Sequence, residues 1–378
     1  MKIVTVIGAR PQFIKAAAVS RAIAKHNGLN VGKTSQITEV IVHTGQHFDG
    51  NMSGVFFEEM QIPKPDYFLD VHSLSHGAMT GRMLEKIEEV LLKEQPDYVL
   101  VYGDTNSTLA GALAAKKLHI KVVHVEAGLR SFNMRMPEEV NRILTDRISD
   151  ILCCPTETAV NNLKNEGFNL FTDPRSMSSD QYVVNTGDVM LDAALYYSSF
   201  STEKSAIISE LNLGDRDFVL CTIHRAENTD DPGRLNNIFN SLREICKEVP
   251  VILPLHPRTR KILESNVNLS SVIFNNSLVI IDPVGYFDMI ELLKKTKIVM
   301  TDSGGLQKEA YFFGKPCVTL RDETEWVELV QGGFNMLAGA DVAKILSAFN
   351  NMKNGLFQGN AEMYGKGYAA NLIVDSLL

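Results

Sequence analysis

Along almost the whole of this 378-residue chain, apolar runs of four to seven residues alternate with stretches of helical period, and that alternation most constrains the fold. In the first half the runs cover residues 3–7, 39–43, 98–102, 121–125, 151–154 and 182–185. Helical stretches over 11–24, 78–93, 107–118 and 138–149 lie between them. Met79, Met83, Ile87 and Val90 recur at spacings of three and four, so the second of these buries one stripe. Strands that are apolar on both faces and joined by helices make a parallel sheet covered on both sides. The second half repeats the layout. Its strands fall at 218–223, 251–255, 278–281, 297–300 and 317–320, with helices over 232–247, 286–294 and 305–313. Gly314 and Pro316 stop the last helix. The expected fold class is α/β, with two doubly wound domains in tandem over residues 1–195 and 206–364. Residues 196–205 (YYSSFSTEKS) are polar and Ser-rich and read as the connection. Residues 365–378 read as an amphipathic helix able to pack back on either domain, and are grouped with the first.

Composition narrows the function classes. The chain carries 37 Lys+Arg against 45 Asp+Glu, a formal net charge of −8, which leaves no electrostatic footprint for a nucleic-acid backbone. No run approaches the ~18 apolar residues of a membrane helix. Residues 3–9 are too short an apolar stretch for a signal peptide and run straight into Arg10. The five cysteines are odd in number, widely spread and matched to neither zinc nor CxxC spacing, so they read as reduced and mostly buried, in a cytoplasmic protein.

In doubly wound sheets, ligands bind beyond the carboxyl ends of the strands, so strand-end residues are the candidates. The clearest phosphate signal is Thr301 to Glu309 (TDSGGLQKE): a buried strand ends, Gly304 and Gly305 let backbone approach a ligand, and a helix begins. Its free N–H groups and dipole suit a diphosphate, with the Ser303 hydroxyl as an extra donor and Glu309 in reach of a sugar diol. The chain has neither a GxGxxG after the first strand nor a GxxxxGK[ST], which argues against nicotinamide and ATP chemistry. After the first strand, Arg10 and Lys15 flank a Pro11 suited to a first helical turn, and both cations can face an anion or lie on the surface. Asp104, Glu126 and Glu138 follow strand ends or open a helix. Crowded together, such acids raise at least one pKa, which separates an acid from a base; Glu138 also fits a plain helix N-terminus. No metal-ligand spacing joins them. His224 and, more weakly, His256 end successive strands of the second half. Neither a GxSxG nor a Cys–His pairing is present to suggest a covalent nucleophile.

In order from residue 8 to 310, GARPQFIK, HTGQHFD, GDTNST, HVEAGLR, PEEVNR, HRAEN and TDSGGLQKEA form a series that closely resembles the non-hydrolysing UDP-N-acetylglucosamine 2-epimerase family. The resemblance implies two Rossmann-like domains facing a central cleft, as in glycosyltransferase-B folds, and a cytoplasmic homodimer active in polysaccharide biosynthesis. It implies reversible epimerisation at C2 of UDP-N-acetylglucosamine to UDP-N-acetylmannosamine without a cofactor, by elimination of UDP to a 2-acetamidoglucal and re-addition. Carried over by position, Asp104, Glu126 and Glu138 match the catalytic carboxylates, with acid and base unassigned. His224 and Arg10 match diphosphate partners; Ser303, Gly304 and Gly305 match the phosphate grip, and Glu309 the ribose ligand. Lys15, His256 and Arg321 are assigned to the substrate, Lys15 and Arg321 to its sugar or phosphate. Ala9 and Gln12 stand where the common form reads GTRPE, and Glu325-Trp326-Val327-Glu328 where it reads ERPE. Both departures resemble the branch acting on UDP-2,3-diacetamido-2,3-dideoxyglucuronate. Hydrolysing relatives and glycosyltransferases of the same fold are the further alternatives. Substrate-activated members carry an Arg-Gln pair where this chain has Ser75 and His76, although Gln46 and His47 are kept. This departure weighs against substrate activation and leaves it open.

Overall fold

The computed structural model describes all residues except 31–35, 47–61, 170–180, 215, 256–258, 261, 264–276 and 354–361. The chain divides into two compact units, Met1–Leu195 with Ala361–Leu378, and Tyr196–Asn360. Each is built on one parallel sheet. In the first unit the strands are β1 (Lys2–Ile7), β2 (Thr38–His43), β3 (Tyr67–Phe68), β4 (Tyr98–Tyr102), β5 (Lys121–Val125), β6 (Ile151–Cys154) and β7 (Tyr182–Asn185), in the order β3-β2-β1-β4-β5-β6-β7. In the second they are β8 (Val219–Thr222), β9 (Val251–Pro254), β10 (Leu278–Ile281), β11 (Ile298–Thr301), β12 (Cys317–Thr319) and β13 (Asn335–Leu337), in the order β10-β9-β8-β11-β12-β13.

The burial pattern explains why the strands read as unbroken apolar runs. Ile3, Val4, Val6 and Ile7 are all buried, as are Val99 to Tyr102, because helices cover both faces. The helix Arg10–Leu29 starts on Pro11, whose missing N–H costs nothing in a first turn. The helix Asn106–Lys117 is capped by Thr105, whose hydroxyl oxygen accepts from the Thr108 N–H. The C-terminal helix Ala369–Asp375 packs on Arg10–Leu29, and Asp192 accepts hydrogen bonds from the first N–H groups of that helix at Ala369 and Ala370.

The boundary between the units falls at the start of residues 196–205, and these residues are themselves ordered into helix: Val189–Ser198 runs into them and Ser201–Lys204 forms a further turn. Tyr197 is fully buried, and both it and Phe200 stack on Phe287, with Tyr286 also against Tyr197. Aromatic packing overrides a polar, Ser-rich composition there.

In both sheets the chain order reverses beside the central strand, between β1 and β4 and between β8 and β11. Crevices of open α/β sheets form at such points, outside the carboxyl ends of the strands. The motifs GARPQFIK and GDTNST follow β1 and β4; HRAEN and TDSGG follow β8 and β11.

Candidate active site

In the first unit, Gln12 ties the reversal together. Its Oε1 accepts the N–H groups of Gly8 and Ala9 at 2.8 and 3.0 Å, while its Nε2 donates to the Tyr102 carbonyl at 2.7 Å and faces the Thr105 and Thr108 hydroxyls. These partners fix which end of the amide is which, and a carboxylate could not serve the Tyr102 carbonyl. One buried side chain thus holds the turns after β1 and β4 against each other, with Arg10 half-buried beside them.

Asp104 stands on the turn after β4, and the PEEVNR segment reaches it. Arg142 donates to the Asp104 carboxylate at 2.6 Å, and Asn141 to its backbone carbonyl at 2.9 Å. Arg142 also donates to Glu139 at 2.8 Å. Glu139 is wholly buried; burial favours its neutral form, but the N–H groups of Ser131 and Phe132 and the Arg142 guanidinium outweigh that and hold it below the ordinary carboxylate range. Glu138, one residue earlier, is half-buried with no ion-pair or hydrogen-bond partner for its carboxylate among the described residues. Glu126 is buried after β5 in the left-handed region at φ 74°, a conformation that a non-glycine residue rarely adopts and that marks functional turns. Its carboxylate meets the buried Lys15 ammonium, and both lie against Gly103. Lys15, Gly103, Asp104, Glu126, Glu139 and Arg142 therefore form one connected group at the strand ends.

In the second unit, Asp302 plays the tying role. It is fully buried after β11, and its carboxylate accepts the N–H groups of His224 and Arg225 and the Asn228 amide, each at 3.1 Å. The His224 ring lies 3.1 Å from the same carboxylate and is half exposed. Burial pushes the Asp302 pKa up, but His224 and these donors more than offset it and hold it below the usual range. The helix Gly304–Phe312 then begins, with the Ser303 hydroxyl oxygen accepting from the Leu306 N–H as its cap. A Cβ on Gly304 would overlap the Glu325 carboxylate, whereas one on Gly305 would meet only Ser303 Oγ at 4.0 Å. Arg321 is buried and donates to Glu325 at 2.9 Å; Lys308, also buried, places its ammonium 4.0 Å above the Trp326 ring. Glu309 is buried on the same helix.

A family model for UDP-N-acetylglucosamine 2-epimerase matches residues 30–378. This chain belongs to that family. UDP-2,3-diacetamido-2,3-dideoxy-D-glucuronate 2-epimerase of Pseudomonas aeruginosa is 55% identical over 379 residues, covering 100% of this chain and 99% of that protein. A UDP-N-acetylglucosamine 2-epimerase of Methanococcus maripaludis is 42% identical across 99% of this chain and 97% of its own. Among solved structures, UDP-GlcNAc 2-epimerase of Methanocaldococcus jannaschii in complex with UDP-GlcNAc and UDP matches with a TM-score of 0.87 and 41% identity, over 100% of this chain and 99% of that one.

Several expectations for this epimerase-family chain change in detail. Lys15 and Arg321 are not free cations awaiting an anion: each is buried against a carboxylate, Glu126 and Glu325. The acids do not simply crowd one another, because Asp104 and Glu126 each meet a cation. Of the two glycines, Gly304 makes room for Glu325 and only Gly305 leaves open space. His256 and His47 lie outside the described residues. Residues absent from the expected site but central to its wiring are Gln12, Asn141, Arg142, Asn228, Asp302 and Glu325. All sit inside or beside the motifs; Gln12, Asn228 and Asp302 find partners across the reversals, and Asn141 and Arg142 reach Asp104 from a later helix, which no local spacing shows, whereas Glu325 pairs with Arg321 four residues before it.

Proposed function

We propose that this protein is a non-hydrolysing UDP-sugar 2-epimerase whose substrate is UDP-2,3-diacetamido-2,3-dideoxyglucuronate. The observation that carries the reaction type is the pairing of motifs at each chain reversal: acids with their cations after β1, β4 and β5, and a histidine with an open helix N-terminus after β8 and β11. Epimerisation by elimination needs both sets. A carboxylate takes the C2 proton, the C2–H electron pair becomes the C1–C2 double bond, and the C1–O bond breaks with its electrons leaving on UDP. Re-addition of UDP, with a proton delivered to the opposite face of C2, completes the inversion with no net redox change.

Asp104, Glu126 and Glu138 are assigned to the two proton transfers. Arg10, His224 and the N–H groups at Ser303, Gly304 and Gly305 are assigned to the charge that builds on the diphosphate, where preorganised donors act on the transition state. Glu309 is assigned to the ribose. Lys15 and Arg321 act through the carboxylates they hold. The reading includes a cytoplasmic homodimer.

The uronate is favoured over UDP-N-acetylglucosamine because the relative bearing that name is 55% identical, against 52% for a UDP-N-acetylglucosamine 2-epimerase homolog and 42% for a UDP-N-acetylglucosamine 2-epimerase. Gln12 and residues 325–328, where this chain leaves the common motif, are also wired into the site. Incubation with each UDP-sugar in deuterated buffer tests the proposal. Deuterium should enter C2 of the uronate in both epimers without accumulation of free UDP. Stoichiometric UDP release would indicate a hydrolysing enzyme, preferential exchange of UDP-N-acetylglucosamine would reassign the substrate, and no exchange with either would overturn the reading.

A further inference from the structure

His124 lies in β5, two residues before Glu126, and is wholly buried. Both ring nitrogens are engaged. Nδ1 is 2.6 Å from Asp146 Oδ1, and Nε2 is 2.7 Å from the Gly103 carbonyl oxygen. A carbonyl oxygen only accepts, so Nε2 carries a proton. Asp146 takes the Gly128 N–H at 3.1 Å on its other oxygen and pairs there with the Arg130 guanidinium at 2.7 Å, which holds it in the ionised form, so Nδ1 donates as well. A neutral imidazole has one donor and one acceptor and would set two lone pairs against each other at one of these contacts.

The surroundings supply the compensating charge. Asp146 on the helix Pro137–Ile148 faces the ring, Arg130 after β5 bridges Asp146 to Glu166 at the end of Glu157–Asn165, and the Cys154 thiol approaches from β6. Burial pushes that thiol far up, so it stays neutral. Asp146 is driven up by burial, but the charges of His124 and Arg130 more than offset this and hold it below the carboxylate range. Two cations and two anions balance.

We propose that His124 is a doubly donating imidazolium and a positioning residue for the proton-transfer acids. Its Nε2–H anchors the Gly103 carbonyl, and Gly103 both precedes Asp104 and packs on the Glu126–Lys15 pair. One buried ring thereby sets the turn that carries one acid and the floor beneath another. The positioning role rests on the epimerase reading; the protonation does not.

Nitrogen NMR of the full chain labelled at histidine separates the two. The resonances that vanish in His124→Gln identify this ring. In the wild type at neutral pH, both its nitrogens should carry protons, as the two acceptors facing the ring require. A ring with one bare nitrogen would overturn the proposal outright. His124→Gln has a single amide nitrogen, so it cannot donate to both Asp146 and the Gly103 carbonyl as the ring does, and it loses the charge. It should lower kcat for C2 exchange about 100-fold, as expected for a small misplacement of reacting groups, with KM within about threefold and UDP affinity retained. Wild-type kcat in a folded His124→Gln protein would refute the positioning role. A wild type with no C2 exchange on any UDP-sugar would instead sink the epimerase reading and the positioning role that rests on it, leaving the ring's protonation to stand or fall by the spectrum.

Discussion

Asp302 has no exposed surface, yet it holds four donors from the segment after β8. Its carboxylate pKa is depressed, so its stabilisation is fully present above the ordinary carboxylate value of about 4 and is lost as the pH falls through the lower folded value. Glu139 and Asp146 contribute in the same acid window for the same reason. Asp302→Asn should cost about 3 kcal/mol at neutral pH, because it leaves buried donors aimed at an amide that cannot accept them all. Urea unfolding at neutral pH and at several acid values checks both parts: the variant should be less stable at neutral pH and show a shallower loss towards acid. Equal stability of the two proteins at neutral pH would show that the carboxylate is not the tie across β8 and β11. The same scale shows the limit of the sequence. The motif TDSGG marks a phosphate-binding turn, and His224 marks a strand end, but nothing in either says that Asp302 joins them across more than seventy intervening residues.

At the scale of elements, the long apolar strands and amphipathic helices were legible because burial on both sheet faces leaves a period that composition cannot hide. The expected strands over 3–7 and 98–102 and the expected helix over 107–118 correspond to β1, β4 and Asn106–Lys117 to within a residue or two at each end. Short strands such as Tyr67–Phe68 and Asn335–Leu337 carry too few residues to show a period, and the aromatic packing over 196–205 was masked by serines. The helix Gly304–Phe312 offers a test of which glycine faces a ligand. Gly304→Ala forces the Glu325 carboxylate aside and should cost about 1–3 kcal/mol, as overpacking does. Gly305→Ala enters open space in a helical turn and should leave the fold as stable or up to about 1 kcal/mol more so, while weakening UDP binding at least about tenfold. Calorimetric Tm and titration with UDP read the two effects separately. Undiminished UDP binding by Gly305→Ala would remove the diphosphate from this turn.

Across the whole molecule, each unit repeats one design: a parallel sheet whose order reverses beside its central strand, and one buried polar side chain, Gln12 or Asp302, bridging the two strand ends at the reversal. The five cysteines are free and buried, with burial pushing Cys153 and Cys317 up to about 12, so none is set up as a nucleophile. The proposed reaction is acid–base and electrostatic chemistry in which the C1–O bond breaks and re-forms while UDP is held. A UDP-diacetamido uronate with heavy oxygen placed in the bridge between C1 and the β-phosphorus tests this directly. Reversible cleavage with retained UDP lets the β-phosphate rotate, so the recovered substrate should carry the label in non-bridging positions as well. Recovered substrate that has exchanged its C2 proton while the label stays wholly in the bridge would contradict the account.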